Sequence, residues 1–169
     1  MSENKIYPEG KLFTPGPVQV TMTVRNKLSQ YNLGSREPFF VDTCERVTKN
    51  LLKVAQLDAG EYSAILMQGS GTFGVESVLQ TVIPPENHPD GKDIRALIVT
   101  NGSFGERVAL IAKGLNIVYR EVKFLETMAI DPVEVEKIAL EYKPTHIMMV
   151  HSETTVGIIN DVAECTIII

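Results

Sequence analysis

Three times in this chain a short apolar run halts at a cluster of glycines, hydroxyls and amides, and that repeated junction narrows the folds open to it. Residues 62–67 run into Gln68-Gly69-Ser70-Gly71-Thr72, and residues 95–99 into Thr100-Asn101-Gly102-Ser103-Phe104-Gly105. Residues 145–150 run into His151-Ser152-Glu153-Thr154-Thr155-Val156-Gly157. Apolar runs of this kind read as strands buried on both faces of a parallel sheet. Open α/β sheets bind ligands just beyond the carboxyl ends of their strands. Three ends rich in donors and small residues therefore point to one ligand site, suited to a planar molecule bearing a phosphate.

Helical periodicity fills the intervals. Phe40, Cys44, Val47, Leu51 and Val54 recur at three- and four-residue steps, predicting a helix over 38–57 with those residues on its buried face. A helix starting near Thr72 and Phe73 turns Val75, Val78, Leu79 and Val82 inward until Pro84-Pro85 stops it. Residues 84–93 read as a surface loop. Residues 104–113 form the next helix, ending at Gly114 as a C′ residue, and residues 117–122 a further strand. Asp131-Pro132 supplies an N-cap and a first-turn proline for a helix reaching about 142, with Val135, Ile138 and Tyr142 the cleaner candidates for its inner face. Strands separated by helices imply an α/β fold: three layers, α/β/α, around a mainly parallel sheet.

With 169 residues, 44% of them hydrophobic, the chain is long enough for one domain with a real core. A net charge of −5 without blocks of like charge argues against a general nucleic-acid binder. No run approaches the roughly 20 apolar residues of a membrane span. The polar start has no signal-like apolar region, and Cys44 and Cys165 are isolated, so a cytoplasmic setting is the expectation. His88, His146 and His151 have no companions at metal-ligand spacing, and His146 reads as a satisfied strand histidine.

Gly69-Ser70-Gly71-Thr72-Phe73-Gly74 stands between a strand and a helix, where unpaired backbone N–H groups and the positive end of the macrodipole attract phosphate. The same residues also suit a tight turn with a threonine cap. They match the G-x-G-x-x-G dinucleotide pattern as well, although no acid stands at the tip of the following strand to bind a ribose. Phe104, flanked by Gly102 and Gly105, suits either a core position or a ring stacked on a flat ligand. Arg107 suits an anion, Glu106 or solvent.

Four segments taken together resemble the class V aminotransferases, which use pyridoxal phosphate. They are Phe13-Thr14-Pro15-Gly16-Pro17, Gln68-Gly69-Ser70-Gly71-Thr72, Asn101-Gly102-Ser103-Phe104-Gly105-Glu106-Arg107 and His151-Ser152-Glu153-Thr154-Thr155-Val156-Gly157. Within that family the His-Ser-Glu-Thr-Thr tip resembles members that move an amino group from 2-aminoethylphosphonate to pyruvate. The resemblance implies that Ser70, Gly71 and Thr72 hold the cofactor phosphate, Phe104 stacks on the pyridine ring and Thr154 bonds its 3′ oxygen. It implies that Pro15 and Gly16 border the substrate, and that Arg36, in a segment similar to a Gly/His-Arg-Glu-Pro stretch of related enzymes, reaches it too.

The implied fold is the large domain of the type I pyridoxal-phosphate transferases, incomplete, over 21–169, preceded by an arm and substrate loop over 1–20. A small-molecule amino donor, a 2-oxo acid acceptor and a homodimer follow from the same resemblance. The family's ring-pairing aspartate and its cofactor-bonding lysine come later in the chain than Ile169, and no lysine here lies in a matching context. No catalytic residue is therefore assigned, and the chain is expected to be an inactive fragment. Other readings are another class V pair (alanine–glyoxylate or serine–pyruvate), a nicotinamide-dependent oxidoreductase, or a non-catalytic binding protein.

Overall fold

The computed structural model describes residues 19–86, 88 and 93–167, and for 166 and 167 the backbone alone. Pro15, Gly16 and part of the 84–93 loop lie outside the described residues. The chain divides into two compact units, Met1–Met67 and Gln68–Ile169.

The first unit carries α1 (Met22–Leu28) and α2 (Pro38–Val54). Thr21 caps α1 by accepting from Val24 N–H, and Pro38 opens α2 at a position that needs no donor. The periodic stripe on α2 is present, but Phe40, Val47, Leu51 and Val54 remain 36–82% exposed, and the buried residue is Leu52. Spacing decides which face is apolar; it does not provide a cover. Residues 62–67 likewise form no strand: Ile65 is 82% exposed, and no described strand bonds to them. β-branched and aromatic residues favour the extended backbone, whereas a ladder also requires a neighbour.

The second unit is an α/β sandwich. Its elements are α3 (Gly71–Val82), β1 (Ala96–Thr100), α4 (Ser103–Gly114), β2 (Tyr119–Lys123), α5 (Pro132–Tyr142), β3 (His146–Met149), the short strands β4 (Ser152–Glu153) and β5 (Ile158–Ile159), and α6 (Val162–Ile167). The main sheet is parallel, in the order β2-β1-β3, with Ile98 opposite Glu121 on one side and Met148 on the other. β4 and β5 pair antiparallel as a small hairpin at the tip of β3.

Every residue of β1 is buried, which explains its unbroken apolar run. Alternate side chains go to opposite faces. Ala96 and Ile98 pack with Leu79, Ile83, Ala109 and Ala112 of the α3–α4 layer, while Leu97 and Val99 pack with Val135, Ala139 and Cys165 of the α5–α6 layer. Leu97, Ile98 and Val99 each contribute about 1.5–3 kcal/mol by leaving water. The α5 inner face is Val135 and Ala139, with Ile138 and Tyr142 against the same core. α4 runs through Gly114, and the left-handed residue after it is Asn116 (φ 56°). Asparagine is the usual second choice to glycine at that place, so the helix extends one residue further than a Gly114 stop implies.

Candidate functional site

The turn before α3 leaves an open helix end. Ser70 is the N-cap residue, with extended backbone, and its hydroxyl makes no capping bond; the first helical bond runs from Gly74 N–H to the Ser70 carbonyl at 3.1 Å. The N–H groups of Gly71, Thr72 and Phe73 therefore meet no acceptor among the described residues. Gly71 has nothing within 4 Å of where a Cβ would stand. Phe73 packs its ring against Gly69: a Cβ on Gly69 would overlap the ring and lie 2.9 Å from Phe73 Cγ.

The other helices of this unit are closed by acids. Asp131 Oδ1 accepts from Val133 N–H at the head of α5, and Asp161 Oδ1 accepts from Glu164 N–H at the head of α6, both at 3.0 Å. At α4 the acid comes from a distant segment. Glu153 is fully buried, and its Oε2 accepts from Phe104 N–H at 3.1 Å and Gly105 N–H at 3.2 Å. Its Oε1 accepts from the Thr155 hydroxyl at 2.6 Å and Thr155 N–H at 3.3 Å. Thr155 Oγ1 in turn accepts from Ser103 N–H at 3.3 Å. Among the described residues of this unit, α3 alone keeps its partial positive charge without a carboxylate on it.

These bonds gather the sequence motifs. The head of α4, carrying Phe104 with 46% of its surface exposed, is fastened to the segment on either side of the exposed Thr154. A cavity of about 420 Å³ lies between the α3 head and α4, bounded by Thr72, Ser103, Glu106, Arg107, Leu110 and Ile111. Within it, Glu106 is paired with Lys123 at 3.1 Å, and Lys123 also lies 3.5 Å from Glu121. The hydrogen bond to Glu106 and the charge of Glu121 raise the Lys123 pKa above the ordinary lysine value. Arg107 has no ion pair among the described residues, so it supplies the cavity's uncompensated charge.

Ser70, Gly71, Thr72, Phe104 and Thr154 thus all belong to the second unit, around the heads of α3 and α4. Arg36 belongs to the first unit, in the turn before α2, where Glu37 Oε1 accepts from Gly34 N–H at 3.0 Å. Thr145 Oγ1 lies 2.9 Å from His146 Nδ1, in line with a satisfied strand histidine. Glu153, Asn101 and Asn160 are structural members of the site that sequence reasoning passes over. Asp161, three residues before Glu164, carried a readable capping-box signal. Glu153 carried none, because its partners on α4 are 48 and 49 residues away.

No family model matches the chain. It is 38% identical over 157 residues to a 2-aminoethylphosphonate–pyruvate transaminase of Lysinibacillus sphaericus, covering 91% of this chain and 40% of that protein. It is 34% identical over 152 residues to the transaminase of the same name from Lactiplantibacillus plantarum, again over 40% of that relative. Among solved structures, it superposes on the ureidoglycine–glyoxylate aminotransferase of Bacillus subtilis with a TM-score of 0.73, 25% identity, and coverage of 92% of this chain and 39% of that one. The pyridoxamine–pyruvate aminotransferase of Mesorhizobium loti matches with a TM-score of 0.79 at 23% identity, over 96% of this chain and 40% of that one, and speaks for the fold alone. The chain spans about two-fifths of the length of the curated relatives it matches. By sequence the chain is similar to part of the 2-aminoethylphosphonate–pyruvate transaminases, and by fold it is similar to part of an aminotransferase.

Proposed function

We propose that this chain provides the phosphate- and ring-binding part of a pyridoxal-phosphate-dependent aminotransferase that takes its amino group from 2-aminoethylphosphonate and passes it to pyruvate. The observation that carries this reading is the open head of α3, which among the described residues of its unit is the helix with no acid on its N-terminal amides. Three unpaired N–H groups, the hydroxyls of Ser70 and Thr72, and open space at Gly71 fit a phosphate ester. Arg107, across the cavity from Thr72, adds a positive field for the anion.

When bound, pyridoxal phosphate supplies an electron-withdrawing ring that stabilises negative charge on the substrate carbon. The protein residues bind and orient. Gly71 and Thr72 hold the phosphate, Phe104 offers a flat apolar face, and Thr154 offers a hydroxyl to the ring's 3′ oxygen. Pro15, Gly16 and Arg36 border the amino donor. The names of the relatives support the substrate pair. The resemblance supports a homodimer, with 1–20 as an arm and 21–169 as part of the large domain, and the polar start with isolated Cys44 and Cys165 supports a cytoplasmic setting.

Calorimetric titration with pyridoxal phosphate and with pyridoxal tests the cofactor reading. The ester should bind at least about tenfold more tightly, a difference of about 1.4 kcal/mol, and inorganic phosphate should compete with it. Equal affinity for the two, or no competition, would overturn it. Substrate choice is tested in the full-length enzyme by comparing 2-aminoethylphosphonate with alanine and serine as donors.

A further inference from the structure

We propose that Glu153 is a positioning residue that locks Phe104 and Thr154 into one rigid pair; this rests on the cofactor reading above, in which those two side chains meet the ring. Glu153 and Thr154 are adjacent, with Glu153 fully buried and Thr154 exposed, so one faces inward where the other faces outward. The inward carboxylate takes four donors, two on each oxygen: the amides of Phe104 and Gly105, and the amide and hydroxyl of Thr155. Phe104 and Thr154 are thus each adjacent to, or part of, a backbone held by the same carboxyl group.

Space enforces the arrangement. Gly102 leaves no gap above the carboxylate, since a Cβ there would overlap Glu153 Cγ and stand 2.5 Å from its Cδ. Thr155 closes the loop by accepting from Ser103 N–H, so the α4 head is held from both sides of Thr154. A carboxylate is the group that suits this place because all four partners are donors. A glutamine of the same size must turn its NH₂ toward either the α4 amides or Thr155, and one side of the clamp then opens. The same carboxylate occupies the positive end of α4, which leaves α3 as the place for a ligand's phosphate.

The test compares the parent chain with Glu153→Gln. In the free protein, amide hydrogen exchange at Phe104, Gly105 and Thr155 should quicken at least about tenfold, while the β1 amides of Leu97, Ile98 and Val99 keep their protection. Pyridoxal phosphate should bind about tenfold more weakly, whereas inorganic phosphate, held at α3, should change by less than about twofold. Unchanged exchange at Phe104 and Gly105, or equal weakening of both ligands, overturns the proposal. Should Glu153→Gln fail to fold, Thr155→Val removes the 2.6 Å bond and the acceptor of Ser103 N–H while leaving the Phe104 and Gly105 amides on Glu153; faster exchange at Phe104 and Gly105 supports the lock, and unchanged exchange there overturns it. If the parent chain does not favour pyridoxal phosphate over pyridoxal, the cofactor reading fails, and hydrogen exchange in the free protein still decides the clamp.

Discussion

Asn101 and Asn160, 59 residues apart, hold each other by reciprocal amide bonds: Asn101 Nδ2 donates to Asn160 Oδ1 at 2.8 Å, and Asn160 Nδ2 donates to Asn101 Oδ1 at 3.0 Å. Both are buried, and both are satisfied on every side. Asn101 also donates to the Met128 carbonyl, while Asn160 donates to the Val150 carbonyl and accepts from Ile130 N–H. The pair ties the tip of β1 to the segment after β5 and so frames the loop that carries Thr154.

Asn160→Ala leaves the buried Ile130 N–H and part of the Asn101 amide without partners, at about 1–3 kcal/mol for each orphaned group. Urea unfolding should show a total loss of about 3 kcal/mol. Asn160→Asp should be hardly better at neutral pH, since it sets a carboxylate oxygen against the Asn101 and Val150 carbonyls.

Gly102→Ala tests a steric requirement rather than a conformational one, because the Gly102 backbone is extended and open to any residue. Its methyl group would displace the buried Glu153 side chain, and overpacking of that kind costs about 1–3 kcal/mol. In a double-mutant cycle with Glu153→Ala the two losses should be less than additive. Strict additivity would show that the contact does not limit position 102.

Ser70→Asp sets stability against binding. An acid at the head of α3 complements the macrodipole that no side chain now meets, and should raise stability by about 0.3–1 kcal/mol. It also puts a negative charge where the phosphate is proposed to sit, so affinity for pyridoxal phosphate should fall more than about tenfold. Thermal melts and calorimetry on one variant should move in opposite directions.

Cys165 gives a pH dependence of known sign. Burial, aided by the nearby charges of Asp161, Glu164 and Asp131, raises the thiol pKa in the folded chain. The folded form therefore keeps its proton at a pH where the unfolded form has released it. The thiol's contribution is whole below the unfolded value of about 8.5 and is lost as pH rises through the folded value. The stability difference between the parent and Cys165→Ala, measured by urea unfolding, should be constant at neutral pH and shrink as the pH is raised above about 8.5.

Local grammar is what the order of residues sets on its own. Apolar runs ending in small polar residues gave β1 and β3, Asp131-Pro132 gave the start of α5, and three- and four-residue steps gave α2 and α3, because each signal acts within a few residues of itself. Tertiary structure decided what takes a partner. Residues 62–67 have strand composition and no ladder, and α2 has an apolar stripe and little cover, since neither pairing nor burial is a property of the segment alone. The same holds for the site: Ser70, Gly71 and Thr72 read as an anion loop from their chemistry, but that α3 stays open while Glu153 closes α4 depends on a contact spanning 49 residues. Charge and hydrogen-bond partners act through space, so which helix end is free for a ligand was settled only when the chain folded.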